Sequence, residues 1–181
     1  ADTNIPPVGR RPARGDLKEK LVGDTASQII SQAHCHVLIA GWQSRMWTNR
    51  ILLAIDDAID SDRISELTTQ ISKATRTPVT LVCAIKPGAS RDRIEDDLAL
   101  RAGQMRLDGI DCETLIVEGA PEKAIAVAAT ELGADLVVVA YQQGLGRSVS
   151  EQLVGRLSCA ILLVQSGAEA PQIESALAKQ A

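Results

Sequence analysis

Five short runs of β-branched and aliphatic residues constrain this chain more than any other feature: "ILLAI" (51–55), "VTLVCAI" (79–85), "TLIV" (114–117), "LVVVA" (136–140) and "AILLV" (160–164). Each is apolar throughout rather than alternating, which is the pattern of a strand covered on both faces. Between them lie segments of helical period. Ile64, Leu67, Ile71 and Ala74 make one stripe, Ile94, Leu98 and Met105 a second, and Ala124, Ile125, Ala128 and Leu132 a third. Pro121 suits a first helical position, and Gly133 a left-handed stop. Alternation of this kind predicts an α/β fold: an open parallel sheet with helices on both faces, five strands and four helices within residues 50–167.

The first 43 residues do not open a domain in that way. "DLKEKLVGDTASQIISQA" predicts a helix and "HVLIA" (36–40) a strand. A shift of 124 residues lays "DTASQIISQAHCHVLIA" over "SVSEQLVGRLSCAILLV", matching Gln28 to Gln152, Cys35 to Cys159 and Leu38 to Leu162. Residues 1–43 therefore read as the closing αβ portion of a preceding repeat, 44–49 as a linker, 50–167 as a complete domain and 168–181 as a tail. The two strands that end the repeats, Val37–Ala40 and Ile161–Val164, are expected to lie antiparallel, closing the edge that each would otherwise expose. The segment "GWQSRMWTNR" (41–50) that joins the two repeats carries Trp42 and Trp47, which read as pins holding the linker against the repeats, with partner-binding anchors as the alternative.

Composition narrows the function classes. A formal charge of -4 with interleaved signs gives no broad cationic face for nucleic acid, and 2% aromatic residues with no Phe leave no base-stacking platform. No apolar run approaches the roughly 18 residues of a membrane span. No signal peptide opens the sequence, the acidic balance fits a cytoplasmic protein, and the opening Ala suggests a trimmed or excised chain. The four cysteines, Cys35, Cys83, Cys112 and Cys159, are not in CxxC pairs and read as reduced core residues. "HCH" (34–36) sends its histidines to one face of a strand and its cysteine to the other, and there is no third histidine, so a metal centre is not expected. The four aspartates of "DDAIDSD" (56–62) read either as a Mg²⁺ site of one or two carboxylates or as caps and first-turn charges of the following helix; the second reading is preferred for all but Asp56, the better ligand candidate.

The stretches "RILLAIDD", "TPVTLVCAIKPG", "VEGAPEKAIAVAATELGADLVVVA" and "SVSEQLVGRLSCAILLV" together resemble the universal stress protein family. That resemblance implies strand order 3-2-1-4-5 in the complete domain, with the topological switch between its first and fourth strands. Ligands in open parallel sheets bind at the carboxyl ends of strands at such a reversal. The resemblance further implies a site formed by Asp56, matching the acidic residue that meets the adenosine part, and by Gly144, Gly146, Arg147 and Ser148 of a phosphate-wrapping loop. The family's long spacer between glycines is missing here, and Arg147 stands where the final Gly would align. The turn therefore reads either as half of a phosphate cradle for ATP or another adenine nucleotide, with Mg²⁺, or as a plain strand-to-helix connection. The earlier copy, "GRRPARGDLKEKLVGDT" (9–25), keeps the loop's length but places Pro12 and Ala13 where a Gly is expected and Asp24 against the phosphate.

No GxSxG elbow or SGGxDS pattern appears, and the expected topology places no His near a Ser or Cys nucleophile, so no turnover beyond, at most, slow ATP hydrolysis is expected. The resemblance implies a non-enzymatic regulatory or sensing module, paired as a homodimer or pseudo-dimer through its last strands. The alternative is a cytoplasmic regulatory domain of a membrane transporter that binds no nucleotide.

Overall fold

A computed structural model describes residues 30, 32–33, 35–40, 47–56, 62–141 and 149–165. Six strands form one sheet: β1 (Val37–Ile39), β2 (Ile51–Ile55), β3 (Val79–Ile85), β4 (Cys112–Glu118), β5 (Leu136–Tyr141) and β6 (Ala160–Gln165). Four helices have their bounds among the described residues: α1 (Asp62–Thr75), α2 (Asp92–Leu107), α3 (Pro121–Glu131) and α4 (Val149–Val154). The sheet order is β1-β6-β5-β2-β3-β4. Counted from β2, the complete domain has the order 3-2-1-4-5, all parallel, as the resemblance implied. The added strand β1 runs antiparallel to β6, with Val37 opposite Leu163, Leu38 opposite Leu162 and Ile39 opposite Ile161. The expected closure of the β6 edge is thus present within one chain.

Both faces of the sheet are covered, which is why its strands carry no alternation. On one face Ile51, Leu53, Leu81, Leu136 and Val138 pack with Ile64, Leu98 and Met105 of α1 and α2. On the other Leu52, Val82, Val137, Val139 and Leu163 pack with Ile125, Ala128 and Leu153 of α3 and α4 and with Ile30. At roughly 25 cal/mol per Å² of apolar surface removed from water, this two-sided burial is the main driving force for the fold.

Two expectations about the core need correcting. The buried stripe of α1 is Ile64, Thr68 and Ser72, with Leu67 and Ile71 partly buried and Ala74 exposed. A four-residue spacing governs it, and the polar members are tolerated because their hydroxyls find carbonyls. Thr68 Oγ1 donates to Ile64 O at 2.7 Å and Ser72 Oγ to Thr77 O at 2.7 Å. Of the cysteines, all four free, Cys83 and Cys112 are buried, Cys159 is half-buried, and Cys35 is exposed where β1 is about to begin. Burial pushes the Cys112 and Cys159 thiols up to about 11, so neither is a thiolate near neutrality.

The amino ends of the strands are tied together by polar contacts. The carboxylate of Asp135, just before β5, accepts from the amides of Thr48 (2.7 Å), Asn49 (3.0 Å) and Arg50 (3.2 Å), just before β2. Arg50 then reaches Thr80 Oγ1 and Glu113 Oε2, both at 2.7 Å, across β3 to β4. Trp47 packs against the core beneath α1 and α2, and its carbonyl accepts from Thr77 Oγ1 at 2.7 Å. It pins the linker, as the sequence suggested. Trp42, the opening helix before Ile30 and the tail lie outside the described residues. Replacing Asp135 with Ala removes one acceptor from three amides and is expected to lower the unfolding free energy in urea by about 1–3 kcal/mol. Asp135→Asn, which keeps one carbonyl oxygen, should lose less; equal losses would mean that side-chain bulk rather than hydrogen bonding sets the effect.

A second tie holds β1 to the end of β6. The amide of Gln165 donates to His36 Nδ1 at 3.1 Å. Partial burial, with a smaller contribution from Arg63, holds the His36 imidazole below its ordinary value of 6.5. A lowered folded value means that the unfolded chain takes up the proton first. The contribution of His36 to stability is then present above pH 6.5 and falls away as pH drops through the folded value. Two-dimensional NMR titration should show His36 protonating below 6.5, and its protonation should release the Gln165 amide to faster exchange.

Candidate functional site

The site is defined by the carboxyl ends of β2 and β5, where the sheet changes crossover direction. Ala54 of β2 pairs with Val139 of β5 in parallel register, and Ile55 with Cys83 of β3. Continued by a residue or two, these registers set Asp56 level with Tyr141 on one side and with Ala84 on the other. The first sequence-predicted site residue therefore stands where the topology requires, exposed at the end of β2. Gly144, Gly146, Arg147 and Ser148 lie outside the described residues. The strand that leads into them ends at Tyr141, beside Asp56.

The surface between these ends is lined by small residues. On the α3 and α4 face the side chains shrink from fully buried Leu52 and Val82 to partly exposed Ala54 and Ala84. Tyr141, 4% exposed, fills the same face at the end of β5. A shallow apolar strip results, bounded by the Asp56 carboxylate. β3 ends in a tight turn in which the Ala89 amide bonds Lys86 O at 3.0 Å and Gly88 takes φ +79. Pro87 followed by a left-handed Gly is the signature of a type II turn, and it leaves Lys86 exposed. β4 is followed by Gly119, whose φ of +129 only glycine tolerates well, and whose amide bonds Ile85 O at 2.9 Å.

Strip, carboxylate and lysine together suit a flat, partly apolar ligand with hydroxyls and negative charge. They give no nucleophile-and-base pair. Among the described residues no group of three or more His, Cys, Asp or Glu could hold a metal ion.

Two residues that sequence reasoning did not single out stand at the carboxyl end of the sheet, exposed Lys86 after β3 and His36 beside the end of β6. Lys86 had a local signal, the "KPG" that stops β3. His36 was read only as part of a rejected metal pattern, and its partner Gln165 is 129 positions away. Asp62, expected as a first-turn charge, does open α1 and also receives Arg101 Nη1 at 2.9 Å, while Arg101 Nε reaches Asp97 at 2.9 Å. The remaining positions of "DDAIDSD" lie outside the described residues.

Comparison with known proteins agrees with this geometry. The family model described as "Universal stress protein family" matches residues 48–165. A search of curated proteins finds no match. Among solved structures, the chain is similar to a universal stress protein in complex with cAMP, with TM-score 0.60 and 23% identity over 68% of this chain and 100% of that one. It is similar to a universal stress protein from Archaeoglobus fulgidus DSM 4304, with TM-score 0.68 and 20% identity over 83% of this chain but only 57% of that one. A universal stress protein from Archaeoglobus fulgidus in complex with dAMP gives TM-score 0.55 and 16% identity over 66% of this chain and 99% of that one. At these identities the likeness to each structure is one of fold. The family match covers well over half of the sequence and coincides with the five parallel strands and the switch point described above, so the chain belongs to the universal stress protein family.

Proposed function

We propose that this chain is a non-enzymatic regulatory module that takes an adenine nucleotide at the carboxyl ends of β2 and β5. The observation that carries the reading is the parallel pairing of these two strands, which brings Asp56 level with the residue from which the glycine segment departs. In this reading the base lies along the strip of Ala54 and Ala84, and the Asp56 carboxylate accepts from ribose hydroxyls. The backbone amides of Gly144 and Gly146, with Arg147 and Ser148, meet the phosphate. Two proteins of the same fold have been solved with cAMP and with dAMP, which agrees with a site for the nucleoside part.

The abbreviated glycine segment gives the proposal a specific form. With half of the family's phosphate wrap, the nucleoside and its first phosphate carry most of the affinity, and further phosphates add charge with few donors to meet it. The module then senses adenine nucleotides of one phosphate at least as well as ATP. The second reading, a cytoplasmic regulatory domain of a membrane transporter, rests on sequence resemblance. Among the described residues no helix is long and apolar enough to cross a membrane.

Calorimetric titration of the 181-residue chain with AMP, cAMP and ATP, with and without Mg²⁺, tests the site. AMP is expected to bind no more weakly than ATP, and Asp56→Ala to weaken AMP about tenfold, the loss of roughly 1.4 kcal/mol that one charge-assisted hydrogen bond represents. No heat and no thermal stabilisation at millimolar nucleotide would remove the nucleotide reading. Equal binding by Asp56→Ala would take Asp56 out of the site.

A further inference from the structure

At the amino ends of β3 and β4, the opposite end of the sheet from Asp56, lies a cleft of about 370 Å³. That is within the range of roughly 300–1,000 Å³ in which small-molecule sites fall. The cleft opens where α1 and α2, packed on the same face of the sheet, run out. Lys73, Arg76 and Pro78 line it from the end of α1, and Gly109, Ile110 and Asp111 from the end of α2. Lys73 Nζ meets Asp108 Oδ1 at 2.9 Å and joins the two sides. All of these residues belong to the stretch 62–141, which is described without a break.

Both helices stop with the same turn. The Thr77 amide bonds Ser72 O at 3.3 Å, and the Ile110 amide bonds Met105 O at 3.0 Å. Each is the long bond of a Schellman turn, which requires a left-handed residue just before the donor. After α2 that residue is Gly109 at φ +82, and a Cβ there would meet nothing within 4 Å, so backbone conformation alone accounts for the glycine. After α1 it is Arg76 at φ +56, the one non-glycine residue with positive φ among the described residues. A Cβ is disfavoured in that conformation, yet here the chain keeps one. The fold offers little return for it. Arg76 is exposed and, among the described residues, enters no ion pair, and the cation that a helix C-terminus favours is already supplied by Lys73 in the last turn of α1. What the side chain does is line the cleft.

The charges around the cleft are of both signs. Two helix C-termini bring partial negative charge to it, and Asp111 adds an exposed carboxylate. Against them stand the Arg76 guanidinium, a planar fork matched to a carboxylate, and the Lys73 ammonium, which has donors left after meeting Asp108. A simple anion would meet Arg76 but also face Asp111 and both helix ends. A simple cation would meet Asp111 but also face Arg76 and Lys73. A ligand carrying both charges satisfies both sides at once.

We infer that this cleft binds a small zwitterion of the free α-amino acid class, its carboxylate on Arg76 and Lys73 and its ammonium beside Asp111 between the two helix ends. The site stands at the other end of the sheet from the proposed nucleotide site and does not rest on that reading.

The test follows the backbone amides of the full 181-residue chain by NMR during titration with the common α-amino acids, one at a time, to millimolar concentration. Acetate, methylammonium and inorganic phosphate serve as probes of a single charge. At least one amino acid is expected to shift the amides of Arg76, Thr77, Gly109 and Asp111 saturably, with each single-charge probe about tenfold weaker or more. Arg76→Gly suits the left-handed turn and is expected to melt no lower than wild type while weakening that amino acid about tenfold or more. Asp111→Asn, which keeps the shape of the side chain, should weaken it likewise. No saturable shift with any amino acid would overturn the inference. So would equal binding of acetate or phosphate, which would make the cleft a plain anion site, or equal binding of methylammonium. Undiminished binding by either variant would overturn it too, as would a lower melting temperature for Arg76→Gly, since the arginine would then be held for stability.

Discussion

The carboxylate of Asp135 holds the two strands on which the topology turns. In a doubly wound sheet the first and fourth strands are neighbours in space but far apart in sequence, and nothing local dictates where one starts relative to the other. Here one side chain gathers the amides of residues 48–50 and sits immediately before β5, so both strands leave from one point. The register that follows, Ile51 beside Leu136 through Ala54 beside Val139, is the register that brings the far ends level. A slip of one residue would turn every side chain of β2 to the opposite face and carry Asp56 away from the end of β5.

The sheet is accordingly polarised. Its amino end is closed by side-chain bonds: Arg50 to Thr80 and Glu113 and Thr77 to Trp47 link strand to strand, and Arg106 of α2 bonds Cys112 of β4. The ion pair of Lys73 with Asp108 adds little by itself, since both partners are about half exposed. The carboxyl end carries the small side chains of Ala54 and Ala84, a type II turn at Lys86–Ala89, and glycines with positive φ at Gly88 and Gly119. Rigidity at one end and small side chains at the other is what a binding surface at strand termini needs: a fixed frame, and room above it.

Much of the frame was legible in the sequence because it rests on periodicity and punctuation. "ILLAI" and "VTLVCAI" are strands with those limits, Pro121 opens α3, and Gly133 adopts φ +62 at its end. What escaped is long-range or chemically masked. Thr68 and Ser72 read as polar and are buried, because a helix carbonyl or a nearby turn satisfies the hydroxyl. Cys35 reads as apolar and is exposed, because its strand begins two residues later at a sheet edge. Asp135 and His36 act on amides 85 to 129 positions away, and no window of sequence contains both partners. Asp56, like Gly144, Gly146, Arg147 and Ser148, was read as a site residue from the resemblance, which supplied the strand order as well; the structure places Asp56 at the end of β2.

The repeat illustrates how weak identity can accompany strict geometry. Few of the aligned positions are identical between the two αβ units, yet the local two-fold axis that relates β1 to β6 falls on one of them, the Leu38 and Leu162 pair. A residue on a two-fold axis meets its own equivalent, so its size enters the contact twice, and a change there must be accommodated by both strands at once. Residues one step away meet non-equivalent partners and can vary in compensation: Val37 with Leu163, Ile39 with Ile161. The demand for self-complementarity thus falls on very few positions. The same demand explains why β1 is antiparallel in a sheet otherwise parallel, since a two-fold axis perpendicular to the sheet reverses strand direction.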